Sequence, residues 1–229
     1  MGSKYSNFLT VLLVLIILAI IGIIGFLGFQ FYQDTVQKNN SEDFVDSFIS
    51  STNKDNNVED NNSENTNDNT ENGNFAEGIE GTTNSGSSSS SGNTQKYNGF
   101  TIAGTIEIPA TNLKCPILSR EEYSPSALET SVVEIYGVGL NQVGNTTISG
   151  HNYRNGRFFS NNKKLNIGDK IFITDLKGKR LTYTIYNKFE AEENYDDYIV
   201  RDTQGAIEIS LSTCTDDSSA RLIIWAKEQ

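Results

Sequence analysis

The sequence predicts a mostly β domain over residues 97–229, carried behind an apolar helix and a polar tract. Three observations point there. One uncharged apolar run fills residues 8–29, a tract of Asn, Ser, Asp, Glu, Thr and Gly fills residues 50–95, and short β-branched segments divided by turns fill the rest. That last pattern over about 130 residues, with some seven or eight strands, suits a single barrel or sandwich.

The apolar run comes first. "FLTVLLVLIILAIIGIIGFLGF", Phe8 to Phe29, carries no charge. At 1.5 Å per residue it extends about 33 Å, enough to cross a bilayer core. Lys4 and the amino terminus precede it and acidic residues follow, which orients the amino terminus to the cytoplasm and the rest outside. A cleaved signal peptide would have a shorter apolar core and a small-residue cleavage site, and "GFQFYQD" offers none. The expected division is a cytoplasmic tail at 1–7, a single-pass anchor at 8–32, an extracellular and largely disordered stalk at 33–96, and the folded domain at 97–229.

The stalk composition cannot bury enough apolar surface to offset chain entropy. Within it, Phe44, Val45, Phe48 and Ile49 recur at helical spacing and predict a short helix. The net charge of -11 gathers in the same region: residues 34–94 carry twelve acids against two lysines, whereas residues 95–229 carry seventeen acids against fifteen bases. Phosphate binding needs a basic face, so at this net charge no nucleic acid partner is expected; the nearly balanced folded part says little about other ligands.

In the folded part, "FTIAGTIEIP" alternates Ile102, Gly104, Ile106 and Ile108 on one face. "NTTISG", "DKIFITDL", "KRLTYTIYNKFEA", "GAIEISLST" and "ARLIIWAKE" read as further strands, with "DLKGKR" as a hairpin turn. "SPSALETS" predicts one short helix, capped by Ser124 with Pro125 at its first position.

Three residues invite chemistry. Cys214 ends one predicted strand and Arg221 begins the next; His151, the sole histidine, follows "TTIS". A cysteine nucleophile acts as thiolate, which a nearby cation favours, and acyl transfer needs a donor at the developing oxyanion. The rival reading is a buried thiol, a disulfide between Cys115 and Cys214, and surface charges.

"SLSTC" at 210–214, Arg221 on the following strand and "SGH" about sixty residues earlier closely resemble the sortases, the cysteine transpeptidases of Gram-positive cell surfaces. "GTIEIPATNLKCPIL" and "LNIGDKIFITDLKGKRLTY" are similar to sortase strands as well, so the resemblance covers residues 97–229. It implies an eight-stranded barrel with one or two short helices. It implies that Cys214 attacks a Thr carbonyl in an LPxTG-like sorting signal on a secreted protein. The acyl group then passes to an amine of a peptidoglycan precursor or a pilin lysine. His151 would be the general acid and base and Arg221 the substrate and oxyanion stabiliser, while Thr213 would help orient substrate or donate to the oxyanion. "SGHNYRNGRFF" and "LSTCTDD" lean toward class B; the compact stretch from Gly168 to Asp202 leans toward class D.

The remaining candidates are read as structural. Cys115 lies beside Pro116 in an apolar strand and reads as a buried thiol. The acidic run from Glu190 to Tyr198 suggests calcium, and the resemblance implies that such a site, as in some class A sortases, would also draw acids from an earlier loop; only Glu134 stands there, so a solvated loop is expected and no cofactor. Arg154 and Arg157 read as surface arginines. Two rival functions stand beside the transpeptidase: a surface-anchored binding module without catalysis, and a thiol peptidase that only hydrolyses the signal.

Overall fold

The computed structural model describes residues 2–55, 95–192 and 194–229. Helix α1 spans Gly2–Asp55 and is followed in the described residues by nine strands and one further α-helix. The strands are β1 (Lys96–Tyr97), β2 (Phe100–Ile108), β3 (Leu113–Leu118), β4 (Val132–Gly137), β5 (Gly144–Ser149), β6 (Lys170–Asp175), β7 (Arg180–Glu192), β8 (Ile207–Cys214) and β9 (Ala220–Glu228). Helix α2 is Pro125–Thr130.

Strands β2 to β9 form the ring β2-β3-β4-β5-β8-β9-β7-β6, and β6 pairs back onto β2 to close it. This is the expected eight-stranded barrel; β1 is a two-residue addition outside the ring, paired to β2. Period-two alternation explains the closure. Ile106, Ile117, Ile148, Ile173, Ile209, Leu211 and Ile224 belong to one buried cluster inside the barrel. Each such side chain is worth roughly 1.5–3 kcal/mol on burial. The β6–β7 turn uses Gly178 at φ 77°, the left-handed geometry that "DLKGKR" predicts. Ser124 caps α2 by accepting from the Ala127 N–H at 3.2 Å, with Pro125 first in the helix.

Residues 33–55 depart from the expected stalk. They continue α1, and their apolar stripe docks on the barrel: Val45 is fully buried and Phe48 is 2% exposed. Phe44 meets Tyr97 edge-on at 5.0 Å, Ser41 Oγ donates to Lys114 O at 3.2 Å, and Lys114 Nζ reaches Asp46 at 2.7 Å. A second apolar cluster joins Phe48 to Tyr97, Ile102, Leu118 and Val133. The folded unit is therefore larger than residues 97–229. Tertiary packing rather than intrinsic propensity holds a helix rich in Asn, Ser and Asp. The rest of the predicted stalk, residues 56–94, lies outside the described residues. The stretch from Phe8 to Tyr32 exposes its large apolar side chains and is long and apolar enough to cross a membrane.

Candidate active site

Two strand pairings assemble the predicted residues. Strands β8 and β9 run antiparallel with Cys214 opposite Arg221. Directly paired residues point to the same side of a sheet, and Arg221 Nη1 donates to Cys214 Sγ at 3.1 Å. Strands β5 and β8 run parallel with Ser149 opposite Ser212, and the Gly150 N–H continues that ladder to Ser212 O at 3.1 Å. His151 and Cys214 each stand two residues beyond the paired serines, at the same end of neighbouring strands. All three residues are half-buried.

The strand end is tied across by Asn152. Its Nδ2 donates both to Cys214 O and to Asp216 Oδ1, each at 3.0 Å. Lys163 Nζ holds the other oxygen of Asp216 at 2.5 Å, and Lys163, then Asn152, keep that carboxyl below the usual carboxylate range. Asp217 shapes the β8–β9 turn, accepting from Thr215 Oγ1 at 2.7 Å and from Ser219 N and Oγ at 3.1 and 2.8 Å. These bonds, that from Thr215 first, lower its carboxyl to about 2.

Alternation along β8 sends Ser210, Ser212 and Cys214 to the outer face, while Ile209 and Leu211 point inward. Thr213 falls on the inward side: it is 2% exposed, and its hydroxyl has no hydrogen-bond partner in the structure. It lines an open cleft at the barrel end together with Cys214, Lys188, Glu190 and Leu222. The Thr213 side chain therefore meets the cleft from the inward side of β8 and Cys214 from the outer side.

The segment after β7 covers the outer face beside Cys214. Tyr198 O accepts from Ser210 Oγ at 3.0 Å and from Asn145 Nδ2 at 3.2 Å, and Ser212 Oγ donates to Tyr198 Oη at 3.3 Å. Arg201 fastens the segment: its guanidinium bonds Glu208 and Tyr186 Oη, reaches Asn145 Oδ1 at 3.2 Å, and lies 4.5 Å from the Trp225 ring centre. Sequence reasoning missed Asn152, Tyr198 and Arg201, whose partners are set by strand pairing and carry no local pattern.

Both cysteines are free. Cys115 sits inside the barrel, where burial pushes its thiol up to about 12. Glu134 is buried and paired with Arg120. Among the described residues, no group of three or more His, Cys, Asp or Glu is placed to hold a metal ion.

A family model described as "Sortase domain" matches residues 106–229. A search of curated protein sequences finds no significant match. Among solved structures, sortase C1 of Streptococcus agalactiae, in complex with MTSET, is 22% identical with a TM-score of 0.51, covering 56% of this chain and 69% of that one. A lid mutant of sortase A from Corynebacterium diphtheriae is 25% identical with a TM-score of 0.51, covering 56% and 70%. Sortase C of Clostridium perfringens, solved with the C-terminal cell wall sorting motif, is 24% identical with a TM-score of 0.50, covering 56% and 70%. These neighbours are of classes C and A, and at such identity the likeness is one of fold. With more than half of its length matched by the family model and the barrel shared with these enzymes, the chain belongs to the sortase family of cysteine transpeptidases.

Proposed function

We propose that this sortase is a membrane-anchored enzyme that cleaves an LPxTG-like signal and transfers the acyl group to a cell-wall or pilin amine. The observation that carries the reading is the Arg221 Nη1 to Cys214 Sγ contact of 3.1 Å, beside a lone histidine at the end of the adjacent parallel strand. The sorting motif bound to the Clostridium perfringens enzyme supports the substrate class.

In the first half-reaction Cys214 Sγ attacks the Thr carbonyl carbon of the signal. Negative charge develops on the carbonyl oxygen, and Arg221 turns from sulfur to that oxygen and donates to it. His151 gives a proton to the departing amine as the C–N bond breaks, leaving a thioester on Cys214. In the second half-reaction an acceptor amine attacks the thioester, His151 removes the amine proton, and the sulfur leaves as the new amide forms. Thr213 supports the strand end from inside the barrel, and Asn152 fixes the Cys214 carbonyl. The apolar stretch of α1 holds the enzyme in the cell membrane, with the barrel outside.

Mass spectrometry of the intact chain after incubation with an LPxTG-type peptide tests this. A thioester adduct is expected on the native chain and none on Cys214→Ala. No adduct on either chain would leave a binding module. Added amine should convert adduct to transfer product; hydrolysis alone would leave a thiol peptidase.

A further inference from the structure

His151 opens a short excursion that returns to the barrel at Phe159. Asn152 bridges to Phe158, and the Phe159 N–H donates to His151 O at 3.2 Å. Arg154 at φ 60°, Gly156 at φ 91° and Phe158 at φ 49° all sit in the left-handed region, so the turn is tight. Ser160 Oγ closes it further, donating to Arg157 O at 2.6 Å and accepting from the Tyr153 N–H at 3.0 Å.

Inside this turn four side chains pack together. The Tyr153 ring lies 4.9 Å from the imidazole of His151, tilted by 41°. The guanidinium carbon of Arg157 lies 5.1 Å from the centre of the Tyr153 ring and 5.0 Å from that of Phe158. Phe158 in turn touches Tyr153 at 6.0 Å. Arg157 Nη2 also donates to Glu129 O at 3.3 Å, which ties the stack to the end of α2. Among the described residues no hydrogen bond holds either imidazole nitrogen, so the tyrosine ring is the surface on which the imidazole rests.

We infer that Tyr153, held by Arg157, is a positioning residue that orients His151 for proton transfer. This rests on the reading of His151 as the general acid and base. A proton donor must meet the leaving amine at hydrogen-bond distance and angle. In many active sites a carboxylate or carbonyl bonded to the second imidazole nitrogen sets that angle. Here a ring contact takes that place, and aromatic pairs prefer offset or tilted geometries of this separation. The excursion has a reason for its composition: Tyr153 needs a partner to keep it over His151, and the electron-rich face of an aromatic ring attracts a cation such as the Arg157 guanidinium. Tyr153 is 38% exposed, so without Arg157 it would be free to leave the imidazole.

The test uses the full chain in detergent with histidine labelled in the ring. There is one histidine, so the imidazole gives one set of resonances. Tyr153→Ala is expected to move those resonances, through loss of the ring current, and to lower kcat for peptide cleavage roughly 10- to 100-fold while KM stays within about twofold. Tyr153→Phe keeps the ring and should recover most of both. Arg157→Gln should fall between them. Tyr153→Leu, which keeps apolar bulk under Arg157, replaces the alanine variant if the latter fails to fold. The inference is overturned if the alanine or leucine variant keeps native kcat and resonances, or if Tyr153→Phe is as damaged as Tyr153→Ala. His151→Gln separates the two layers. Native turnover there would remove the acid and base role itself; loss there with native turnover in Tyr153→Ala would remove only the positioning.

Discussion

Gly150→Ala asks why a glycine precedes the histidine. A Cβ at Gly150 would stand 2.8 Å from Val132 Cγ1 and 2.9 Å from Phe159 Cδ2. Carbon atoms settle at about 3.5–4.0 Å, so each neighbour would have to yield by roughly 0.7 Å. Neither can turn into solvent, because Val132 is fully buried and Phe159 is 1% exposed. Overpacking of this kind costs about 1–3 kcal/mol, or about 2–12 °C in Tm for a domain of this size. Part of the strain would pass to the strand end, where the Gly150 N–H holds Ser212 O one residue before His151. A displacement near 1 Å at a catalytic group can cost about 100-fold in rate. Thermal melting by circular dichroism, run beside the rate of adduct formation by mass spectrometry, reads both effects. Val132→Ala added to Gly150→Ala removes the nearer methyl contact and should recover part of each loss. A Gly150→Ala chain that melts within about 1 °C of native and forms adduct at the native rate would refute the reasoning.

Three further outcomes are expected. Alkylation by iodoacetamide at pH 8 should label one cysteine in the native chain and two after denaturation, because burial holds the Cys115 thiol at about 12; Cys115→Ala should keep most activity, and a dead but folded variant would contradict the assignment of Cys214. Phe48→Ala should destabilise the barrel by as much as 3–5 kcal/mol, the usual cost for a buried Phe, read by urea unfolding; an unchanged midpoint would mean that the helix is not part of the folded unit. The Asp217 carboxyl is depressed to about 2, so its turn contacts favour the folded state above the ordinary value of 3.8 and are lost as pH falls through about 2; a carboxyl carbon titrating near 3.8 by NMR would refute this.

Strand identity was legible because inward positions alternate at period two, as in Ile106 and Ile108, and because turns such as "DLKGKR" name themselves; Ile102, expected on the same face, falls in the cluster under α1 because a bulge between Ile102 and Gly104 shifts the register. The Cys214–Arg221 pairing was legible for the same reason, since a short loop joins two adjacent strands. The place of His151 was not: β5 meets β8 in a parallel pairing across two intervening strands, and only the resemblance to sortases brought the two together. Asn152 and Arg201 act across that same non-local pairing. The docked half of α1 was half legible. Its apolar stripe at Phe44, Val45, Phe48 and Ile49 shows in the sequence, but its surface composition reads as tract, and the partner cluster under it has no local trace.

One helix both presents the apolar stretch and docks on the barrel, with twelve residue steps from Phe29 to Ser41. With that stretch in a bilayer as proposed, those residues act as a ruler and a dial together. They set a height of about 18 Å and a compass bearing for the catalytic mouth. One inserted residue would lift the barrel by about 1.5 Å but swing it by about 100°. Seven inserted residues would lift it by about 10 Å and return it almost to its first heading. An insertion series between residues 33 and 40 would then give activity in living cells that oscillates with the helical repeat, as the mouth turns toward and away from its substrates.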